Sequence, residues 1–184
     1  MITRAMLMVS HPDVALEKVG RDTVLERQIK TAYQAGIEEI WIGGHKPETF
    51  PSKPLPPKLT LYWISSSAAP QKDCLTPYAA LSDQHLIDAE TLEKIIGQPY
   101  ADPISFTDEK GRMVVQIMTP PQREFHYPET SPLPLDSYIL LERPFSSKGI
   151  LAWVKSHALT TAKNSSGIFK RILGFLGPRK DLGL

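Results

Sequence analysis

Tyr78-Ala79-Ala80-Leu81-Ser82-Asp83-Gln84-His85-Leu86-Ile87-Asp88-Ala89-Glu90-Thr91-Leu92-Glu93-Lys94-Ile95-Ile96 is the stretch on which the fold turns. Tyr78–Leu81 is a short apolar run suited to a buried strand. It breaks into a polar turn, Ser82-Asp83-Gln84-His85. Asp88 then predicts a helix cap, with Leu92, Ile95 and Ile96 sharing one helical face. Strand, acidic turn, helix is how open α/β sheets build a site, because ligands bind where the strands end. Asp83, His85 and Asp88 are therefore the first candidates for chemistry on a nucleotide or a metal.

Working outward, Ala5–Val9 is apolar throughout, as in a central strand covered on both faces. Ser10–Arg21 reads as a polar connection and Asp22 as a helix cap. Leu25, Ile29, Ala32 and Tyr33 recur at helical spacing, with Glu26, Arg27 and Lys30 toward water and Gly36 as terminator. Glu39–Ile42 is a second strand, closed by Gly43-Gly44, and the crossover makes it parallel to the first. Leu59–Ile64 is a third strand. Pro103–Phe106 and Met113–Met118 predict two more, paired as a hairpin around Asp108–Gly111. Pro120–Leu135 reads as a linker or surface loop, and Ser137–Leu141 as either strand or helix. Ser146 is placed to cap a helix carrying Ile150, Leu151, Val154 and Ala158. Ser165 or Ser166 opens a last amphipathic segment, Ile168 to Leu176. The expectation is an α/β domain over residues 1–135, with a strand-and-helix extension over 136–184 packed on it.

Composition narrows the function classes. A formal net charge of +1 gives no field to recruit nucleic acid. The single cysteine, Cys74, excludes an internal disulfide framework and points to a reducing cytosol. Ala5–Val9 is too short for a signal-peptide core, and no run approaches the roughly 20 apolar residues of a membrane span. A cytoplasmic location follows. Lys170, Arg171, Arg179 and Lys180 flank the stripe of the last segment, which suits docking on its own sheet or on a membrane surface. His11, His45, His85 and Asp83 follow predicted strand ends and form a possible zinc set, although their spacing is not that of a zinc motif.

Two patches resemble one family. Gly20-Arg-Asp-Thr-Val-Leu-Glu-Arg-Gln-Ile29, followed by Ala35-Gly-Ile-Glu-Glu-Ile-Trp-Ile42, is similar to the nucleotidyltransferase pattern "G-x-x-L-L-x-R", whose helix ends in "A-G-I" before a strand. Leu81-Ser-Asp-Gln-His-Leu-Ile-Asp88 resembles the strand-end motif "L-S-x-D-H-L-I-D" of cytidylyltransferase domains found with CDP-alcohol phosphatidyltransferases. Ile139-Leu-Leu-Glu-Arg-Pro-Phe-Ser-Ser-Lys-Gly149 resembles the segment joining the two in fused relatives, which implies the soluble half alone. The resemblance implies a three-layer α/β/α sandwich with a mostly parallel sheet. It also implies a nucleotide, Mg²⁺, a sugar or polyol phosphate acceptor, and a membrane CDP-alcohol phosphatidyltransferase as partner.

The chain departs from that pattern twice. Active members place a Gly-rich loop after the first strand, because only glycine lets backbone N–H groups approach a triphosphate closely. Here Ser10–Val19 has no glycine, Pro12 removes a donor, and Asp13 and Glu17 repel phosphate. Ser10, His11, Lys18 and Arg21 are what remains to bind a nucleotide. The second departure is Gln84 at the metal-binding position, with Asp83 one residue early. Mg²⁺ prefers carboxylate and phosphate oxygens to a neutral amide. Asp83 and Asp88 are the metal candidates, and Gln84 and His85 further crevice candidates. The sequence predicts a catalytically degenerate member serving as a binding or regulatory partner in phospholipid head-group or nucleotide-sugar metabolism. The alternatives are an active Mg²⁺-dependent cytidylyltransferase with a rebuilt site, and a peripheral membrane or interaction module working through the C-terminal segment.

Overall fold

Strand β1 (Arg4–Met8) is the middle of the fold, flanked in parallel by β4 (Glu39–Gly43) and β6 (Tyr78–Leu81). The protein is described by a computed structural model, which covers residues 1–164 except 45, 48–49, 51–53, 55, 65–75, 121–127 and 142–145; for 158–164 it gives the backbone alone. Seven strands make the main sheet, in the order β10-β8-β9-β6-β1-β4-β5. Here β5 is Thr60–Ile64, β8 Ile104–Thr107, β9 Met113–Met118 and β10 Glu129–Pro132. Only β9 runs against its neighbours, pairing antiparallel with both β6 and β8. This is an α/β fold on a mostly parallel sheet, consistent with the expected sandwich.

The pleat explains which residues are buried. Ala5 and Leu7 on β1, Ile40 and Ile42 on β4, Ala79 and Leu81 on β6, and Val115 and Ile117 on β9 point into one core. Helices α2 (Val24–Gln34) and α3 (Ala89–Ile96) cover that face with Leu25, Ile29 and Ala32, and with Leu92, Ile95 and Ile96. Asp88 caps α3, its Oδ1 accepting from the Thr91 amide at 2.9 Å. On the other face Met6 lies beside Trp41, which meets Tyr78 edge-on and Arg4 over its ring. That face is partly open: Met8 and Tyr62 are exposed, whereas the sequence suggested a strand covered on both sides.

Several expectations are corrected. Ser10–Arg21 is more than a connection: it holds the short helix α1 (Pro12–Ala15) and strand β2 (Lys18–Val19), which pairs with β3 (Asp22–Thr23). Gly20 makes that hairpin turn at φ +72°. The α2 cap is Thr23, not Asp22. Thr23 Oγ1 accepts from the Glu26 amide at 3.2 Å, and Glu26 Oε2 accepts from the Thr23 amide at 2.8 Å. This draws Glu26 inside, while Asp22 is committed to Lys30 at 2.7 Å and Arg27 at 3.7 Å. Part of the supposed linker Pro120–Leu135 is β10, an edge strand parallel to β8 that ends on Pro132, where a missing N–H is tolerated. His85 belongs not to the turn but to β7 (His85–Ile87). That strand leaves the main sheet and pairs antiparallel with β11 (Tyr138–Leu140), which makes the ambiguous Ser137–Leu141 a strand.

Ser146 accepts from the Gly149 amide, and helix α4 runs from Ser147 to Asn164. Among the described residues no helix is long and apolar enough to cross a membrane. His45, Cys74 and the segment Ile168–Leu176 lie outside the described residues.

Ile29→Ala, at the centre of the core, is expected to cost about 2–5 kcal/mol. Tyr62→Ser on edge strand β5 is expected to stay within about 0.5 kcal/mol. Urea midpoints at unchanged slope test the contrast, and equal losses would contradict this placement of the core.

Candidate functional site

The C-terminal ends of β1 and β6 lie side by side, where a parallel sheet collects ligands. Asp83 fills this position. Its Oδ2 accepts from the Ser10 amide at 2.6 Å and the His11 amide at 2.9 Å, with His11 Nδ1 at 3.3 Å. The residue is 8% exposed. A buried carboxylate requires such donors, and charge-assisted bonds of this length are the strong kind. Gln84 completes the group, with its Nε2 3.3 Å from His11 Nε2.

The structure therefore brings together Ser10, His11, Asp83 and Gln84. It does not bring in the other candidates. Lys18 and Arg21 are exposed on the β2–β3 hairpin. Asp88 is the cap of α3, at the far end of β7 from Asp83, with roughly 10 Å of extended strand between them. Among the described residues no group of three or more His, Cys, Asp or Glu side chains is placed to hold a metal ion. The zinc set is not assembled among them either, since His85 turns inward.

His85 is 3% exposed, with Nδ1 3.0 Å from Ser82 Oγ and Nε2 3.3 Å from Asp108 Oδ2. Ser, His and Asp in contact invite a nucleophile reading. The cavity beside Ser82 and His85 measures about 10 Å³, room for about one water, and His85 itself is buried. The trio is a structural tie. Asp108 Oδ2 also accepts from Arg112 Nε at 2.6 Å, and its Oδ1 from the Lys110 and Arg112 amides. Tyr138 meets the His85 ring edge-on, and its hydroxyl accepts from the Glu109 amide. The Gln28 side chain donates to the carbonyls of Ser82 and His85 at 3.1 and 3.0 Å, fixing the turn that presents Asp83. Burial pushes the Asp108 carboxyl up, but the bonds from Arg112, His85 and Lys110 outweigh it and bring its pKa from 3.8 to about 2.

No protein-family model matches the sequence, and no curated protein does. The fold is similar to solved structures. One is Rv0371c of Mycobacterium tuberculosis H37Rv in complex with manganese, with TM-score 0.47 and 17% identity, over 63% of this chain and 71% of that one. Another is a UDP-glucose pyrophosphorylase complexed with UDP-glucose, with TM-score 0.47 and 11% identity, over 58% of this chain. The chain spans only 57% of that enzyme's length. A third is the Rv0371c homologue from Mycobacterium sp. strain JC1, with TM-score 0.46, 12% identity, and coverage of 61% and 68%. At this distance the likeness concerns the chain path and assigns no ligand.

Sequence reading missed Gln28, Asp108, Arg112 and Tyr138. Asp108 stood in a recognised turn, but nothing in a turn announces a partner 23 residues away. Because the folded pKa of Asp108 is depressed, its contribution to stability is present above about pH 4 and lost as pH falls through about 2. Asp108→Asn is expected to be less stable than the parent at pH 6, with the gap closing between pH 4 and 2. Denaturant midpoints across that range test it, and a pH-independent gap would contradict the assignment.

Proposed function

We propose that this chain is a nucleotidyltransferase-like protein whose site is closed and catalytically degenerate. In this reading it works as a binding or regulatory partner in phospholipid head-group or nucleotide-sugar metabolism, beside a membrane CDP-alcohol phosphatidyltransferase. One observation carries the proposal: the Ser10 and His11 amides, on the loop expected to cradle phosphate, are already taken by Asp83.

The donor set does not fit Mg²⁺. Asp83 Oδ2 is engaged by the Ser10 and His11 amides, Gln84 is neutral, and Asp88 caps a helix at the other end of β7. Phosphoryl transfer depends almost wholly on positioning and on neutralising charge. Losing a single preorganised donor costs roughly 3 kcal/mol, or 10²–10³ in rate, and here both cradle and metal ligands are missing. The exposed cations Lys18 and Arg21 share their segment with Asp13 and Glu17, which oppose them.

Incubation with each nucleoside triphosphate, Mg²⁺ or Mn²⁺, and a panel of sugar and polyol phosphates is expected to release no pyrophosphate above background. Robust release with any pair would establish the active cytidylyltransferase reading, or a relative of it, instead.

A further inference from the structure

Residues 12–23, comprising α1, β2 and β3, form a small unit outside the main sheet. Ala15 reaches the main core, but Val14 and Val19 do not. They pack with Val24, Leu86, Leu141 and Ile150 in a separate, smaller cluster. The half-buried side chains that close over this cluster are Ile139, Leu151, Trp153 and Val154, all from the C-terminal extension. Leu151 also reaches the hairpin turn, where a Cβ built on Gly20 would lie 3.2 Å from its Cδ1. The unit is thus roofed by α4.

Among the α4 side chains that are described, 147–157, Ile150 is the one fully buried, and the bond from Trp153 Nε1 to the Asp136 carbonyl at 3.2 Å is exposed. Further along, a cavity of about 270 Å³ separates α4 from α2, between Lys30 and Gln34 on one side and Val154 and His157 on the other. At its other end the unit is tethered through Ser10 and His11 to Asp83. Segments held by few buried apolar contacts open locally at low free energy, separately from the global core.

We propose that α4 is a built-in strap. Seated, it holds residues 12–23 closed over the end of β1. Lifted, it lets the unit swing away and releases the Ser10 and His11 amides from Asp83. This rests on the closed-site reading above and gives that site its regulation: whatever displaces α4 opens it.

The test is amide hydrogen exchange on the full-length chain, comparing the parent with Ile150→Ser and with the milder Leu151→Ser. Residues 10–23 are expected to exchange about tenfold faster or more in both variants, while β1, β6 and β9 keep the parent rate. Inorganic pyrophosphate at millimolar concentration is expected to slow exchange at residues 10–11 in the variants but not in the parent. Acceleration spread evenly over the main sheet, global unfolding of both variants, or no change at residues 10–23 would each overturn the strap. Uniform exchange would leave the closed-site reading standing. Pyrophosphate release by the parent chain would sink that reading whatever the exchange shows.

Discussion

The Asp83 carboxylate is the constraint from which the local structure follows. A charge that is more than nine-tenths buried must be satisfied, and leaving it without partners costs several kcal/mol. Ser10 and His11 satisfy it with main-chain amides, which pulls the chain after β1 onto the end of β6. The turn that presents Asp83 is in turn held by Gln28, which bonds the carbonyls on both sides of it. From that turn β7 departs to meet β11, and β11 leads the chain to α4. One buried charge therefore links the β1–α2 connection to the C-terminal extension.

The same arrangement gives chemical meaning to the departures in sequence. A glycine-rich loop would leave amides free for a ligand. Here the loop is stiffened by Pro12, folded into α1, and neutralised from within by its own chain. Gln84, at the position where the resembled family places a metal-binding carboxylate, reaches the His11 ring, with its Nε2 3.3 Å from His11 Nε2. Two differences that look independent in sequence are parts of one closed contact, since Asp83 and Gln84 both reach the Ser10–His11 corner.

Much of the fold was legible because it rests on local periodicity. β1, β4, β5, β6 and the β8–β9 hairpin follow from short apolar runs bounded by turns, and α2 and α3 from helical spacing. Asp22 precedes an amphipathic stretch as a cap does, but Lys30 and Arg27 compete for it and leave the role to Thr23. β7 and β10 escape a reading from periodicity, because three or four residues carry too little pattern and their partners are distant. At the site, the position of Asp83 and Gln84 at a strand end was readable, but their contact with Ser10 and His11, more than 70 residues away, was not. His85 is polar and follows a strand, as a crevice residue does, but Ser82 and Asp108 satisfy both its ring nitrogens inside the protein.

The most direct measurement is a crystal structure grown with millimolar CTP and Mg²⁺. The account predicts that Asp83 Oδ2 stays on the Ser10 and His11 amides, with no nucleotide over the ends of β1 and β6. An ordered triphosphate wrapped by the main chain of residues 10–20, with Asp83 turned away toward a metal, would contradict it.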